Sequence, residues 1–319
     1  MKILYGINGT GQGHIVKSIN VIYELKRLGH DIDILISGTN HHVKIPYEVK
    51  YQFHGVSFEY SEKGSIDWIK TAINLKPIKL LKDTNLDVDA YDKVITDFEP
   101  ISAWACIRSK KDCIGISHQY SFLSKRIPRP KKKDFIGEFV INKLAPVTTP
   151  IGLHFEKYDD FIDYPIIRGD VKILTTSDKG YYTVYLPSYS LKNILNELIN
   201  YPYQFQVFTK ETDKIYIYKN IKICPSSIPG FTNSLINCHG VITSGGFETP
   251  SEALFLKKRL MVMPIKGQYE QLCNAEALKQ MGVFVGQDIT DIKHFFQWPN
   301  SISYQWKDPL PKIIQMILE

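Results

Sequence analysis

Residues 239–282 read HGVITSGGFETPSEALFLKKRLMVMPIKGQYEQLCNAEALKQMG, and the order of these residues decides the fold. A short β-branched run, 241–243, breaks into Ser244, Gly245 and Gly246; Phe247 follows, and a helical pattern starts near Glu248, Thr249 and Pro250. Proline suits a first helical turn because the N–H it lacks has no partner there. A strand that turns through glycines into a helix offers free backbone N–H groups and the positive end of a helix dipole, a seat for an anion such as a diphosphate. Glu252, one turn further, can accept from a pair of ribose hydroxyls. A second apolar run, 260–264, ends in a loop carrying Gln268, Glu270, Gln271 and Asn274, acceptors and amides suited to sugar hydroxyls.

The same strand-then-helix alternation extends outward over the 319 residues. Apolar runs rich in β-branched residues fall at 3–7, 32–36, 93–96, 113–117, 183–187, 205–209, 221–224, 241–243, 260–264 and 283–285, with amphipathic helical patterns between them. Strands apolar on both sides indicate parallel sheets covered on both faces. The first helix is expected over 15–28, with Ile15, Ile19, Ile22 and Leu25 or Tyr23 on its buried face and Gly29 as its stop. Near the middle, 147–170 loosens into a stretch rich in Pro, Gly and turn formers, so a boundary is expected near 160–170. The fold class is α/β: two Rossmann-like, doubly wound parallel-sheet domains, 1–160 and 161–319, facing a cleft, with the last helix able to pack back on the first domain. In open sheets of this kind ligands bind beyond the carboxyl ends of the strands, so functional residues should follow strands directly.

Two earlier stretches pass that filter. NGTGQGHI, residues 8–15, follows the first run. Its glycines Gly9, Gly11 and Gly13 depart from the G-x-G-x-x-G spacing of a dinucleotide site, and the next strand ends in Ser37 and Gly38 with no acid, so a nicotinamide cofactor is not expected. Such a loop still lets a ligand approach the backbone closely. His14 then stands at a helix N-terminus, where the dipole discourages protonation and keeps the imidazole available as a base; a histidine that merely packs near the loop is the competing reading. In VITDFEP, residues 94–100, Asp97 ends a strand. It can orient a base histidine or simply cap the next helix, and the residues alone leave both open.

Composition narrows the rest. With 44% hydrophobic residues, 23% charged and a net charge of +6, the chain has the make-up of a folded domain with a substantial core. Part of the positive charge is local: KRIPRPKKK, 125–133, supplies Lys125, Arg126, Arg129, Lys131, Lys132 and Lys133. Without interleaved aromatics along a face, this does not suggest nucleic acid. The stretch precedes the amphipathic DFIGEFVINKLAP and is either a solvated face or a seat on an anionic membrane for a lipid-linked acceptor. The five cysteines lack C-x-x-C spacing and are expected to be reduced and buried. The start of the chain is too short in apolar residues for a signal peptide and no membrane span is visible, so a cytoplasmic protein is expected. His41 and His42 alternate faces on an extended chain, and Asp31, Asp33, Asp87 and Asp89 lie away from the expected cleft, so no metal site is expected.

Together, the early G-x-G-H-I loop and the late S-G-G-x-E-T-x-x-E … P … E-Q-x-x-N-A signature resemble GT-B-fold glycosyltransferases over nearly the whole chain. The likeness is to UDP-glycosyltransferases and to the peptidoglycan N-acetylglucosaminyltransferase that acts on a lipid intermediate; within the superfamily, the run ITSGGFET is most like a bacterial and archaeal subgroup. The resemblance implies an inverting, metal-independent transfer from a nucleotide-sugar, presumed UDP-linked, to an acceptor hydroxyl, lipid-linked or polysaccharide, with no cofactor. It makes His14 the base and Asp97 its support. Ser244, Gly245 and Gly246 would hold the diphosphate, Glu252 the ribose, Glu270 and Gln271 the sugar, and Phe231 in PGFTNS would begin the base pocket. Plant enzymes carry a histidine where Ser244 stands, so the phosphate contact here leans on backbone amides. The alternatives are a nucleotide-sugar epimerase or hydrolase on the same fold, or a non-catalytic nucleotide-binding module.

Overall fold

The structure is a computed structural model that describes residues 1–10, 12–38, 45–55, 82–132, 134–299 and 302–319. Gly11, His41, His42 and Lys133 lie outside the described residues. Among the described residues the strands form two sheets of seven.

The first sheet contains β1 (Lys2–Asn8), β2 (Asp31–Ser37), β3 (Val49–Phe53), β4 (Lys93–Asp97), β5 (Ile114–Ser117), β6 (Thr149–Leu153) and β7 (Ile162–Asp163), in the order β3-β2-β1-β4-β5-β6-β7. All its pairings are parallel. The second contains β8 (Tyr181–Tyr185), β9 (Gln204–Thr209), β10 (Tyr216–Tyr218), β11 (Ile221–Pro225), β12 (Gly240–Ser244), β13 (Arg259–Met263) and β14 (Phe284–Val285), in the order β10-β11-β9-β8-β12-β13-β14. Only β10 runs antiparallel to its neighbour. Strand order reverses between β1 and β4 in one sheet and between β8 and β12 in the other, which opens a crevice at each reversal.

Four strands go beyond the apolar runs of the sequence: β3, β6, β7 and β10. Two of them, β6 and β7, lie in the stretch that reads as loosened. Pro150 is the second residue of β6, and Gly152 has no room for a side chain, because a Cβ there would come 2.8 Å from the Ser121 Cα. The glycine serves close packing and not a turn, and composition alone does not separate the two.

Helix α1 (Gln12–Arg27) links β1 to β2 and starts three residues earlier than its apolar pattern. Ile15, Ile22 and Leu25 are buried, whereas Tyr23 is exposed. At its end Gly29 takes φ +84°, and the N–H of His30 donates to the Leu25 carbonyl at 3.2 Å, the six-to-one bond of a glycine-stopped helix. One apolar cluster, including Ile3, Ile15, Leu235, Val241 and Ile313, runs through both halves. The chain leaves the first sheet after Asp163 and enters the second at Tyr181; its end returns as α11 (Leu310–Leu318), which lies against α1. Outgoing and returning segments lie together: the Trp306 indole donates to the Pro165 carbonyl at 2.8 Å, and Lys172 Nζ meets Asp308 at 2.8 Å.

Helix α2 (Pro100–Ser109) is capped by Glu99, whose buried carboxylate accepts from the backbone N–H of Ile101 and Ser102, both at 2.7 Å, and from the hydroxyls of Ser37 at 2.6 Å and Ser102 at 2.7 Å. Burial raises its pKa against the pull of these donors. Replacing Glu99 by Ala removes the cap and strands two hydroxyls, so urea unfolding should show a loss of about 2–3 kcal/mol.

Candidate active site

His14 is the third residue of α1 and Asp97 the last of β4, so the first strand-order reversal brings them together. The His14 Nδ1–H donates to Asp97 Oδ1 at 2.8 Å, leaving Nε2 as the basic nitrogen; the ring is 16% exposed and the carboxylate fully buried. Capping falls to Glu99, not to Asp97. Phe98 between them takes a left-handed backbone, φ +53°, so that one acid serves α1 and the next serves α2. For a bulky residue that conformation costs roughly 1–2 kcal/mol.

Asp97 has two further partners. Lys17 Nζ donates to the same Oδ1 at 2.7 Å and to the Ile116 carbonyl at 3.2 Å, and Ser18 Oγ donates to Oδ2 at 2.9 Å. Burial works to raise the Asp97 pKa, but the Lys17 ammonium and then His14 outweigh it and hold the group down at about 2. Lys17 and Ser18 lie three and four positions after His14, one face of the same helix; that spacing is the signal by which the sequence exposes them.

Across the crevice, β12 ends at the buried Ser244 and α8 (Glu248–Phe255) begins at Glu248. A Cβ on Gly245 would come 2.8 Å from the Gln271 carbonyl oxygen, whereas one on Gly246 would meet nothing within 4 Å. The first glycine is thus required for packing, and the second leaves the corner open. The α8 N-terminus faces a cavity of about 1050 Å³ lined by Gly13 and Val16 from the first half and by Arg168, Tyr185, Phe208, Phe231, Thr249 and Glu252 from the rest. Glu248 also lines it, so close to α1 that a Cβ on Gly13 would stand 2.7 Å from its Cγ. Burial pushes the Glu248 pKa up to about 8, with Lys17 opposing and Glu252 and Asp97 adding to the rise. At neutral pH this carboxyl carries a proton and can donate a hydrogen bond into the cavity.

Glu252 is held by Arg168, whose Nε donates to Oε1 at 2.6 Å while Nη2 reaches Oε2 at 3.4 Å and Thr232 Oγ1 at 2.7 Å. Burial raises the Glu252 pKa and Arg168 opposes it. Arg168 lies in the inter-sheet connection, where nothing in the local sequence marks it as part of a site. Phe231 sits edge-on to Tyr185 and to Phe208, at ring distances of 5.8 and 5.2 Å, forming an aromatic end to the cavity.

Other candidates form the joint between the halves. Phe247 is buried and stacks on His118 of α3 (His118–Ser121) at 3.9 Å. Asn274, fully buried in α9 (Tyr269–Gln280), accepts from the His118 Nε2–H at 2.7 Å and donates to the Gly245 carbonyl at 3.1 Å. Both ends of its amide are therefore bonded inside the joint, and Asn274 is not among the cavity-lining residues. Glu270 accepts from Gln119 Nε2 at 2.9 Å, Gln271 Nε2 donates to Gln268 Oε1 at 2.5 Å, and Gln271 Oε1 receives the Ile265 N–H at 3.1 Å. These three stand beside the joint and not among the cavity-lining residues.

Of the basic stretch, Arg129 is spent internally: it pairs with Glu138 at 2.6 Å and donates to the carbonyls of Phe122, Ser124 and Ile127. Asp33 pairs with Lys50 and accepts from the Tyr91 hydroxyl, and Asp87 receives the Asp89 N–H, so these acids serve the fold. All five cysteines are free and buried. No helix among the described residues is long and apolar enough to cross a membrane.

Two doubly wound sheets whose strand-order reversals face one cavity make the architecture of a GT-B glycosyltransferase. The chain belongs to glycosyl transferase family 1, whose model matches residues 1–297. Solved structures with this fold include MurG of Acinetobacter baumannii (12% identity, 99% of each chain covered, TM-score 0.57). The spinosyn rhamnosyltransferase SpnG, complexed with thymidine diphosphate, is 12% identical over all of this chain and 96% of its own, with TM-score 0.58. SnogD of Streptomyces nogalater is 12% identical over 100% and 95% of the two chains, with TM-score 0.54. No curated protein matches the chain.

Asp97→Asn leaves Lys17 as a buried cation facing a neutral amide and should cost about 3–5 kcal/mol in urea unfolding, most of it recovered in Asp97→Asn/Lys17→Met. Glu248 gives a pH dependence of definite sign. Its pKa is raised on folding, so the folded state holds a proton that the unfolded chain releases, and its contribution to stability falls as pH rises toward 8. Glu248→Gln should melt with the parent at pH 4.5 and roughly 2–4 °C above it at pH 8.5.

Proposed function

We propose that this glycosyltransferase moves a sugar from a nucleotide-sugar, a UDP-sugar foremost, to an acceptor hydroxyl, with inversion at the anomeric carbon and no metal ion in the step. The observation that carries the reading is the Nδ1 bond from His14 to the buried Asp97, which leaves Nε2 as the proton acceptor on the same turn of α1 whose Gly13 and Val16 line the cavity. His14 Nε2 takes the proton of the acceptor hydroxyl, and the acceptor oxygen attacks the anomeric carbon from the face opposite the diphosphate. The bond from that carbon to the diphosphate oxygen breaks, and its electron pair leaves with the nucleotide. Asp97 holds the imidazole and balances the imidazolium it becomes, while Lys17 keeps the carboxylate ionised.

In this reading the acceptor belongs to the half made of residues 1–160 and the donor to 161–319. The diphosphate takes the corner of Ser244, Gly245 and Gly246 and the first turn of α8, where unbonded N–H groups meet it. Glu248, protonated, and Thr249 donate to it, and Gly13 allows its approach from the other side. The ribose hydroxyls meet Glu252 at Oε2, the oxygen that Arg168 holds at the longer distance. Phe231, with Tyr185 and Phe208, takes the base; Gln268, Glu270 and Gln271 take the sugar, while Phe247 and Asn274 hold the corner in place. Thymidine diphosphate in the spinosyn rhamnosyltransferase supports a pyrimidine nucleoside diphosphate as the leaving group.

A positioned base contributes about 10²–10⁴-fold to such a step. His14→Ala should therefore lower kcat/KM by that factor, with the thermal shift given by UDP or thymidine diphosphate unchanged. Loss of that shift, or full turnover in His14→Ala, overturns the reading. Free nucleotide released at the same rate without any acceptor would place the chain among hydrolases or epimerases instead.

A further inference from the structure

We infer that the outer face of helix α4 (Phe135–Lys143) is a docking surface for an anionic lipid bilayer, with Phe135, Ile136 and Phe139 as the inserting groups. These side chains are 80%, 55% and 67% exposed, clustered on the first two turns of one nine-residue helix. The opposite face is tied down. A Cβ on Gly137 would come 2.7 Å from the Tyr269 Cβ, Ile141 is buried, and Glu138 accepts from the Tyr269 hydroxyl at 2.6 Å. The helix is thus presented rigidly, apolar side outward.

Charge selects the partner. Lys125, Lys131 and Lys132 are exposed and have no ion pair among the described residues, and Arg126 reaches only Asp159, at 3.8 Å. The nearby acids are occupied: Asp134 caps the helix by accepting the N–H of Ile136 and Gly137, and Glu138 is neutralised by Arg129. What faces outward is an apolar patch on α4, with those unpaired lysines in the segment that leads into it, the chemistry of an interfacial helix on anionic lipid headgroups. The sequence sets six basic residues beside an apolar helix; with Arg129 turned inward, the apolar side chains of the helix carry the anchoring.

Tyr269, which α4 touches, is the first residue of α9 and adjoins Glu270. Docking would therefore set the proposed donor-sugar loop at a fixed height above the bilayer, where a lipid-linked acceptor presents its hydroxyl. In that role the surface rests on the proposed transfer; binding to lipid does not.

The test is flotation of the full-length chain, without nucleotide, with vesicles of phosphatidylcholine containing phosphatidylglycerol and with vesicles of phosphatidylcholine alone. Binding is expected only with the anionic vesicles. It should weaken at least tenfold in Phe135→Ser/Phe139→Ser and in Lys125→Glu/Lys131→Glu/Lys132→Glu, with melting temperatures and nucleotide thermal shifts unchanged. No flotation of the parent chain, or flotation unaffected by both variants, overturns the inference. A parent chain that dimerises through this face and does not float assigns the face to a second copy and likewise overturns it. Each of these failures leaves the transfer reading intact, since nucleotide binding and His14→Ala kinetics are measured without lipid.

Discussion

The arrangement depends on a single buried carboxylate. Asp97 lies at the end of the strand next to β1, out of reach of water, and is kept charged by three donors from consecutive turns of one helix, at positions 14, 17 and 18. An ion so placed is tolerated only when its partners are held rigidly. That requirement fixes the rotation of α1 about its axis, and the rotation places the imidazole at the crevice and the bare Cα of Gly13 against Glu248. The first turn of α1 is thus shaped by a need that originates in β4, 83 residues away.

In the second half the proposed diphosphate corner meets a different need, open space beside a tightly packed turn. Gly245 is squeezed between Pro264, just past β13, and Gln271 of α9, and Gly246 looks into open space, so the two adjacent glycines do opposite work. The squeezed one gives its carbonyl to Asn274, which in turn meets His118 of the first half. The corner that would receive a diphosphate is therefore held by a polar contact crossing the joint. Burial pulls the His118 pKa down against the pull of Glu270.

Much of this was legible in the sequence. The apolar runs mark most strands because parallel strands covered on both faces leave no polar alternation, and residues that follow such runs, His14, Asp97 and Ser244 among them, fall at the crevice by topology alone. What escaped was of two kinds. β6 and β7 are written with the prolines and glycines of loops, because crowding at Gly152 and not periodicity sets those residues. Arg168, His118 and the inward roles of Phe247, Asn274 and Arg129 depend on residues far apart in the chain, and no local pattern encodes such pairs. Lys17 and Ser18 were in plain view at helical spacing from His14, but a lysine suggests solvent until the carboxylate beneath it is known.

The chain passes between its halves twice, and Trp306 and Lys172 bind the two passages side by side. Two connectors fastened together tie the halves along one side, and the stacked His118 and Phe247 rings with the His118–Asn274 bond tie them again at the joint. The last helix, α11, lies against α1 of the first half while its chain belongs to the second, so both ends of the C-terminal half meet at these connectors. A cut in either passage would therefore leave the halves still fastened through the other.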